Sequence, residues 1–123
     1  QIASFSGNRE TAYKNFQDAL TSIGAENIDF VFGVGDDAVL GAITACEEAG
    51  VEIPMIGLDG NPEAEQNVAK GGMFKASVAQ DAAGIGTTTI ENILTYLGGG
   101  SVEPDVMITP KMITPENADP NAA

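Results

Sequence analysis

FVFGVGDDAVLGAITACEEAGVEIPMIGLDGNPEAEQNVAKGGMFKASVAQD, residues 30–81, decides the fold by its alternation. Three short apolar runs each reach a polar group, at Asp36, Asp59 and Gln80. Two segments of helical spacing lie between them. Strand, helix, strand, helix, strand is the pattern of an open, mostly parallel sheet. Such sheets bind ligands just beyond the carboxyl ends of their strands. The reading therefore places Asp36, Asp59 and Gln80 along one edge, facing one crevice. All three are hydrogen-bonding groups, and none is a nucleophile with a nearby base. That combination suits recognition of a polar, uncharged ligand rather than catalysis.

Working outward, 2–5 reads as a short strand. Asn8 can cap a helix with the apolar face Ala12, Tyr13, Phe16, Leu20 and Ile23, stopped by Gly24. Residues 29–33 read as a fully buried strand. Asp36 or Asp37 is expected to cap a helix over 38–49, which Gly50 ends. A strand over 54–58 follows. Asn61 then caps, Pro62 takes the first helical position and Gly71 closes a short helix. The next strand is expected over 76–79. Residues 82–97 read as a helix with Ile85, Ile90, Ile93, Leu94 and Leu97 on its apolar side. A late strand is expected over 106–108, and 109–123 as a frayed polar tail.

Bulk properties bound the function. At 123 residues the chain is one domain at most. Five basic against eighteen acidic residues give a net charge of -13. That charge repels a phosphate backbone and an anionic membrane surface, so no nucleic-acid partner is expected. The absence of His and the single Cys46 argue against a zinc or thiol–imidazole site. Cys46 falls on an apolar helix face with Ala42, Ile43 and Ala49, and reads as core. The chain opens at Gln1 without Met or a signal peptide, and reads as mature, trimmed or a piece of a longer chain.

Gly33-Val34-Gly35-Asp36-Asp37-Ala38 fits G-x-G-x-x-A between a strand and a helix, with Asp59 about 20 residues on. This is nearly a dinucleotide fingerprint. Electrostatics oppose it: a diphosphate needs free amides at the helix N-terminus, and here two carboxylates stand there. At about 4 Å each would repel the phosphate by several kcal/mol at intermediate dielectric. No cofactor is expected.

The run 30–81 resembles the carboxyl-terminal lobe of type I periplasmic sugar-binding proteins, the ribose-binding-like group. That family shows an Asn-Asp pair opening a helix, a strand ending Gly-x-Asp-Gly, a Gly-ended helix and a strand ending Ala-Gln. The segment ITPKMITPEN, 108–117, is similar to the family's terminal stretch. The resemblance implies a Rossmann-like open parallel sheet, incomplete because the lobe's first strand and helix are missing. It implies a lobe core over 1–80, a crossover and helix of the other lobe over 81–104, and a returning strand and tail over 105–123. It implies a non-enzymatic, extracytoplasmic (periplasmic or lipoprotein-anchored) component of a sugar-uptake ABC transporter. The ligand would be a neutral sugar held between two lobes, with a membrane permease as partner. By the same resemblance Asp59 receives sugar hydroxyls and Gln80 contributes its amide. Two positions depart from the family pattern. Gly35 stands where Asn is usual, and Gly7 lies where an aromatic contact is common, with Phe5 nearby. The same fold serves as the effector domain of sugar-responsive repressors, which is the alternative reading; a dinucleotide-binding enzyme domain is the other. A lobe lacking its first strand, with an uncovered apolar helix over 82–97, is expected to associate with itself.

Overall fold

The computed structural model describes residues 8–123, so the strand expected at 2–5, with Phe5 and Gly7, lies outside the described residues. The chain divides into two units, Gln1–Ala79 with Met112–Ala123, and Gln80–Lys111.

In the first unit, helix α1 (Arg9–Ile23) starts at Asn8, whose side chain accepts from the Thr11 amide, and ends at Gly24. Strand β1 (Val31–Phe32) leads to α2 (Asp36–Ala49), β2 (Met55–Asp59), α3 (Pro62–Lys70) and β3 (Phe74–Ala79). The caps of α3 are as the sequence reads: the Asn61 side chain accepts from the Ala64 amide, Pro62 opens the helix and Gly71 closes it. The sheet order is β1-β2-β3-β4, with β1–β2 and β2–β3 parallel. This is the open α/β sheet that the alternation implies.

Two consecutive crossovers stepping in the same direction put their helices on the same face of the sheet. That face holds the core. Val39, Cys46, Met55 and Val68 are wholly inaccessible, and Phe16, Leu40, Phe74 and Ile113 are nearly so. Each such side chain stabilises the fold by about 1.5–3 kcal/mol relative to exposure. Helix α1 packs against α2, which makes α2 an internal layer.

The opposite face corrects one expectation. Strand β1 is not buried on both sides: Phe30 is 50% and Phe32 56% exposed. The crossover helices cover only the side of Met55 and Phe74. The side of Phe32 and its register partner Ile56 receives nothing from them.

The cap of α2 is also different from the expectation. Gly35 is the N-cap and no side chain caps the helix. The Asp36 side chain leaves the helix for partners deeper in the molecule.

The late strand is β4 (Lys111–Ile113), not 106–108. The tetrapeptide Met-Ile-Thr-Pro occurs at 107–110 and again at 112–115. The sheet takes the second copy: Ile113 is 3% exposed, whereas Met107 is 91% exposed. The tail is not frayed. The Thr114 amide donates to Asn117 Oδ1, the Asp119 amide to Glu65 Oε1, and Gln66 Nε2 to the Ala122 carbonyl. The Asn-bearing turn brings the tail's backbone polar groups to partners on α3.

The second unit is dominated by α4 (Ala82–Leu97), capped by Asp81, whose side chain accepts from the Gly84 amide. It ends at Gly98 and contains no buried residue. No helix among the described residues is long and apolar enough to cross a membrane.

Candidate functional site

Asp59 is the last residue of β2, exposed, with φ 123. A non-glycine residue in this region is strained and persists only where its surroundings hold it. The next residue, Gly60, also has positive φ, at 72. Only glycine fits there, because a Cβ would meet the Ala79 Cβ at 2.2 Å. The strand thus ends in an abrupt turn that lifts the Asp59 carboxylate out of the sheet.

Its Oδ2 comes to 3.2 Å of the position a Cβ on Gly35 would take. Gly35 is the N-cap of α2, so Asp59 stands at the positive end of that helix dipole. A diphosphate entering the G-x-G-x-x-A turn would meet this carboxylate. Asp59 thus adds its charge to that of Asp37, which lies in the first turn of α2 without capping it.

Asp36 lies elsewhere than in an open crevice. It is 0% exposed. Its Oδ2 accepts from the Gly60 amide at 2.8 Å and the Asn61 amide at 2.9 Å. Its Oδ1 accepts from the Ser77 hydroxyl at 2.7 Å. Burial pushes the Asp36 carboxyl above the usual carboxylate range, opposed by these hydrogen bonds and reinforced by the neighbouring charge of Asp59. Ser77, which the sequence reading left aside, is also 0% exposed and accepts from the Gly60 amide at 3.2 Å. A serine in the middle of an otherwise apolar strand was the available signal.

Gln80 is exposed and follows directly on Ala79, the register partner of Asp59. It opens the second unit.

Arg9 ties together the first turns of three helices. It donates to Asp37 Oδ1 at 2.9 Å and, through both terminal nitrogens, to Glu63 at 2.7 and 3.0 Å. It is the chain's one arginine, and both acids hold it. No cluster of metal-ligating residues occurs among the described residues. An open hollow of about 460 Å³ is walled by Glu47, Gly50, Glu52, Gly71 and Phe74. Those residues mark the carboxyl ends of α2 and α3 and the start of β3, the sheet edge opposite Asp59.

The model of the periplasmic binding protein domain family matches residues 2–101. No match was found among curated proteins. Solved structures of high similarity include an ABC transporter solute-binding protein from Agrobacterium vitis with bound allitol, 26% identical, TM-score 0.83, covering 89% of this chain and 39% of that one. A subunit of an ABC sugar transporter from Rhodobacter sphaeroides is 31% identical, with TM-score 0.80 and coverages of 89% and 40%. A Caulobacter myo-inositol binding protein bound to myo-inositol is 28% identical, with TM-score 0.79 and coverages of 90% and 38%. The chain spans about two-fifths of the length of these structures. With the family model covering most of the chain and the same lobe fold in these neighbours, the chain belongs to the periplasmic binding protein domain family.

Proposed function

We propose that this chain is a fragment, drawn mainly from the carboxyl-terminal lobe, of a solute-binding component of an ABC transporter for a neutral sugar or polyol. The observation that carries the reading is the exposed Asp59 carboxylate, raised from the end of β2 by a strained turn. A carboxylate accepts from two vicinal hydroxyls and gives charge-assisted hydrogen bonds. The Gln80 amide, which donates and accepts, is its proposed companion. Asp36 belongs to the same site as a support beneath Asp59. The commitment of Arg9 to Asp37 and Glu63 favours an uncharged ligand over an anionic one. Proteins similar to this chain hold allitol and myo-inositol, which are neutral polyols. In the whole protein the ligand would lie between two lobes, whose closure would present the complex to a membrane permease outside the cytoplasm. No covalent chemistry is assigned to the site.

Calorimetry with allitol and myo-inositol tests the reading. Binding of either by the chain's parent protein is expected, and Asp59→Ala should weaken it by about 1.5–3 kcal/mol. Equal affinity in the variant would leave Asp59 as a turn residue. Saturable binding of NAD instead of either polyol would overturn the reading.

A further inference from the structure

We propose that Asp36 and Ser77 form a buried positioning pair that sets the backbone conformation of Asp59, without touching ligand. The proposal rests on the reading of Asp59 as the ligand's carboxylate, and its test separates the two.

The Asp36 carboxylate receives three donors. The Gly60 and Asn61 amides reach Oδ2 at 2.8 and 2.9 Å, and the Ser77 hydroxyl reaches Oδ1 at 2.7 Å. Ser77 Oγ accepts in turn from the Gly60 amide at 3.2 Å, so that amide is shared between the two side chains. Both clamped amides immediately follow Asp59. Fixing them fixes the peptide plane that leaves Asp59, and with it the turn that holds its φ at 123. The clamp extends into α3, because Asn61 also caps that helix through the Ala64 amide at 2.8 Å.

Two glycines make room for the device. A Cβ on Gly57 would come to 2.3 Å of Asp36 Oδ1 and 3.0 Å of the Phe74 ring. Gly60 approaches Ala79 too closely for any side chain. The Gly-x-Asp-Gly run of β2 therefore serves the buried carboxylate as much as the exposed one. Each glycine clears a space, and the aspartate between them is the group being aimed.

The chemistry requires a carboxylate at position 36. An ionised aspartate accepts on both oxygens, whereas an asparagine of the same shape offers one oxygen and an NH₂. With the NH₂ toward the Gly60 and Asn61 amides both would face a donor, and with it toward Ser77 they would keep only a neutral oxygen, a weaker acceptor than a carboxylate. Burial already works against the ionised Asp36. Removing the charge returns that desolvation cost, so Asp36→Asn is expected to stay folded while its turn is released.

The test is NMR on the isotope-labelled chain without ligand. The three-bond HN–Hα coupling of Asp59 is small at φ near +120° and large in extended backbone. In Asp36→Asn it should rise, and amide exchange at Gly60 and Asn61 should accelerate at least about ten-fold. The Met55 amide, bonded to the Met73 carbonyl at the other end of β2, should keep its protection. Gly57→Ala should give the same changes by displacing an intact Asp36. Should Asp36→Asn not fold, Ser77→Ala decides, with the same coupling change and about three-fold faster exchange at Gly60. An unchanged Asp59 coupling with unchanged Gly60 and Asn61 exchange in the folded variant would overturn the proposal. Titration of the parent protein, as wild type and with Asp36→Asn, with myo-inositol then addresses the dependent reading. If the wild type binds it, Asp36→Asn should raise Kd about ten-fold or more. If the wild type binds neither myo-inositol nor allitol, the polyol reading fails while the coupling and exchange still decide the positioning role.

Discussion

Helices α2 and α4 are both apolar and nearly equal in length, at 14 and 16 residues. Nine residues of α2 are buried and none of α4. Helix α2 has α1 on one side and the sheet on the other, so its apolar residues meet partners around most of its circumference. Helix α4 exposes Ile90, Leu94 and Leu97 to the extent of 57, 65 and 75%. The contrast teaches that an apolar face states a requirement for a partner and nothing about who supplies it.

The comparison can be broken most directly by truncating one residue in each helix. Leu40→Ala on α2 should cost about 2–5 kcal/mol of stability, by lost transfer energy and the cavity left behind. Leu94→Ala on α4 should stay within about 0.5 kcal/mol, as for an ordinary surface position. Chemical denaturation of the two variants measures both. Equal costs would mean that α4 is packed in solution.

If α4 seeks its partner in a second copy, association of the chain should depend on concentration. Each Leu or Ile covered would contribute about 1.5–3 kcal/mol. Sedimentation velocity should show a species growing with concentration, and Ile90→Glu with Leu94→Glu should remove it. A wild-type monomer unchanged across the concentration range would refute self-association.

Cys46 reports on the α2 side. It is 0% exposed, and burial pushes its thiol up to about 11. The unfolded chain ionises this thiol earlier, near the ordinary value of about 8.5. Its contribution to stability is thus fully present below that value and is lost as pH rises through about 11. Each unit of difference is worth about 1.4 kcal/mol. Denaturant midpoints from pH 8 to 11 should fall more steeply in the wild type than in Cys46→Ala. Parallel curves would show that the thiol is reached by water.

The smallest effect is expected at Arg9. Its ion pairs join α1, α2 and α3, but its side chain is 43% exposed and its partners are 55 and 54% exposed. Arg9→Gln should cost about 0.2–1 kcal/mol, declining with salt. A larger, salt-independent loss would make the junction part of the core.

Periodicity and caps made much of the fold legible. Asn8, Asn61 with Pro62, and the closing glycines mark helix ends through local hydrogen bonds, which depend on neighbours in sequence. Illegible were features decided by distant partners. The two Met-Ile-Thr-Pro copies are identical, so no local rule could choose 112–115 over 107–110 for the sheet. Phe30 and Phe32 read as buried because aromatic β-formers suit a two-sided strand, yet the direction of both crossovers leaves their face uncovered. At the candidate site, the positions of Asp59 and Gln80 at strand ends were legible as polar residues closing apolar runs. Asp36 looked identical by that rule. Only its three-dimensional donors, from residues 24 to 41 positions away, turn it inward. Ser77 gave the weakest signal, a small hydroxyl inside a strand.

The space that Gly57 leaves for Asp36 has an evolutionary consequence. Positions 36, 57, 60 and 77 are coupled, so that a change at one alters what the turn demands of the others. A side chain at 57 collides with the carboxylate, and a neutral residue at 36 weakens the acceptor that two amides share. Descendants of this chain that drift at one of these positions should therefore drift at the others too.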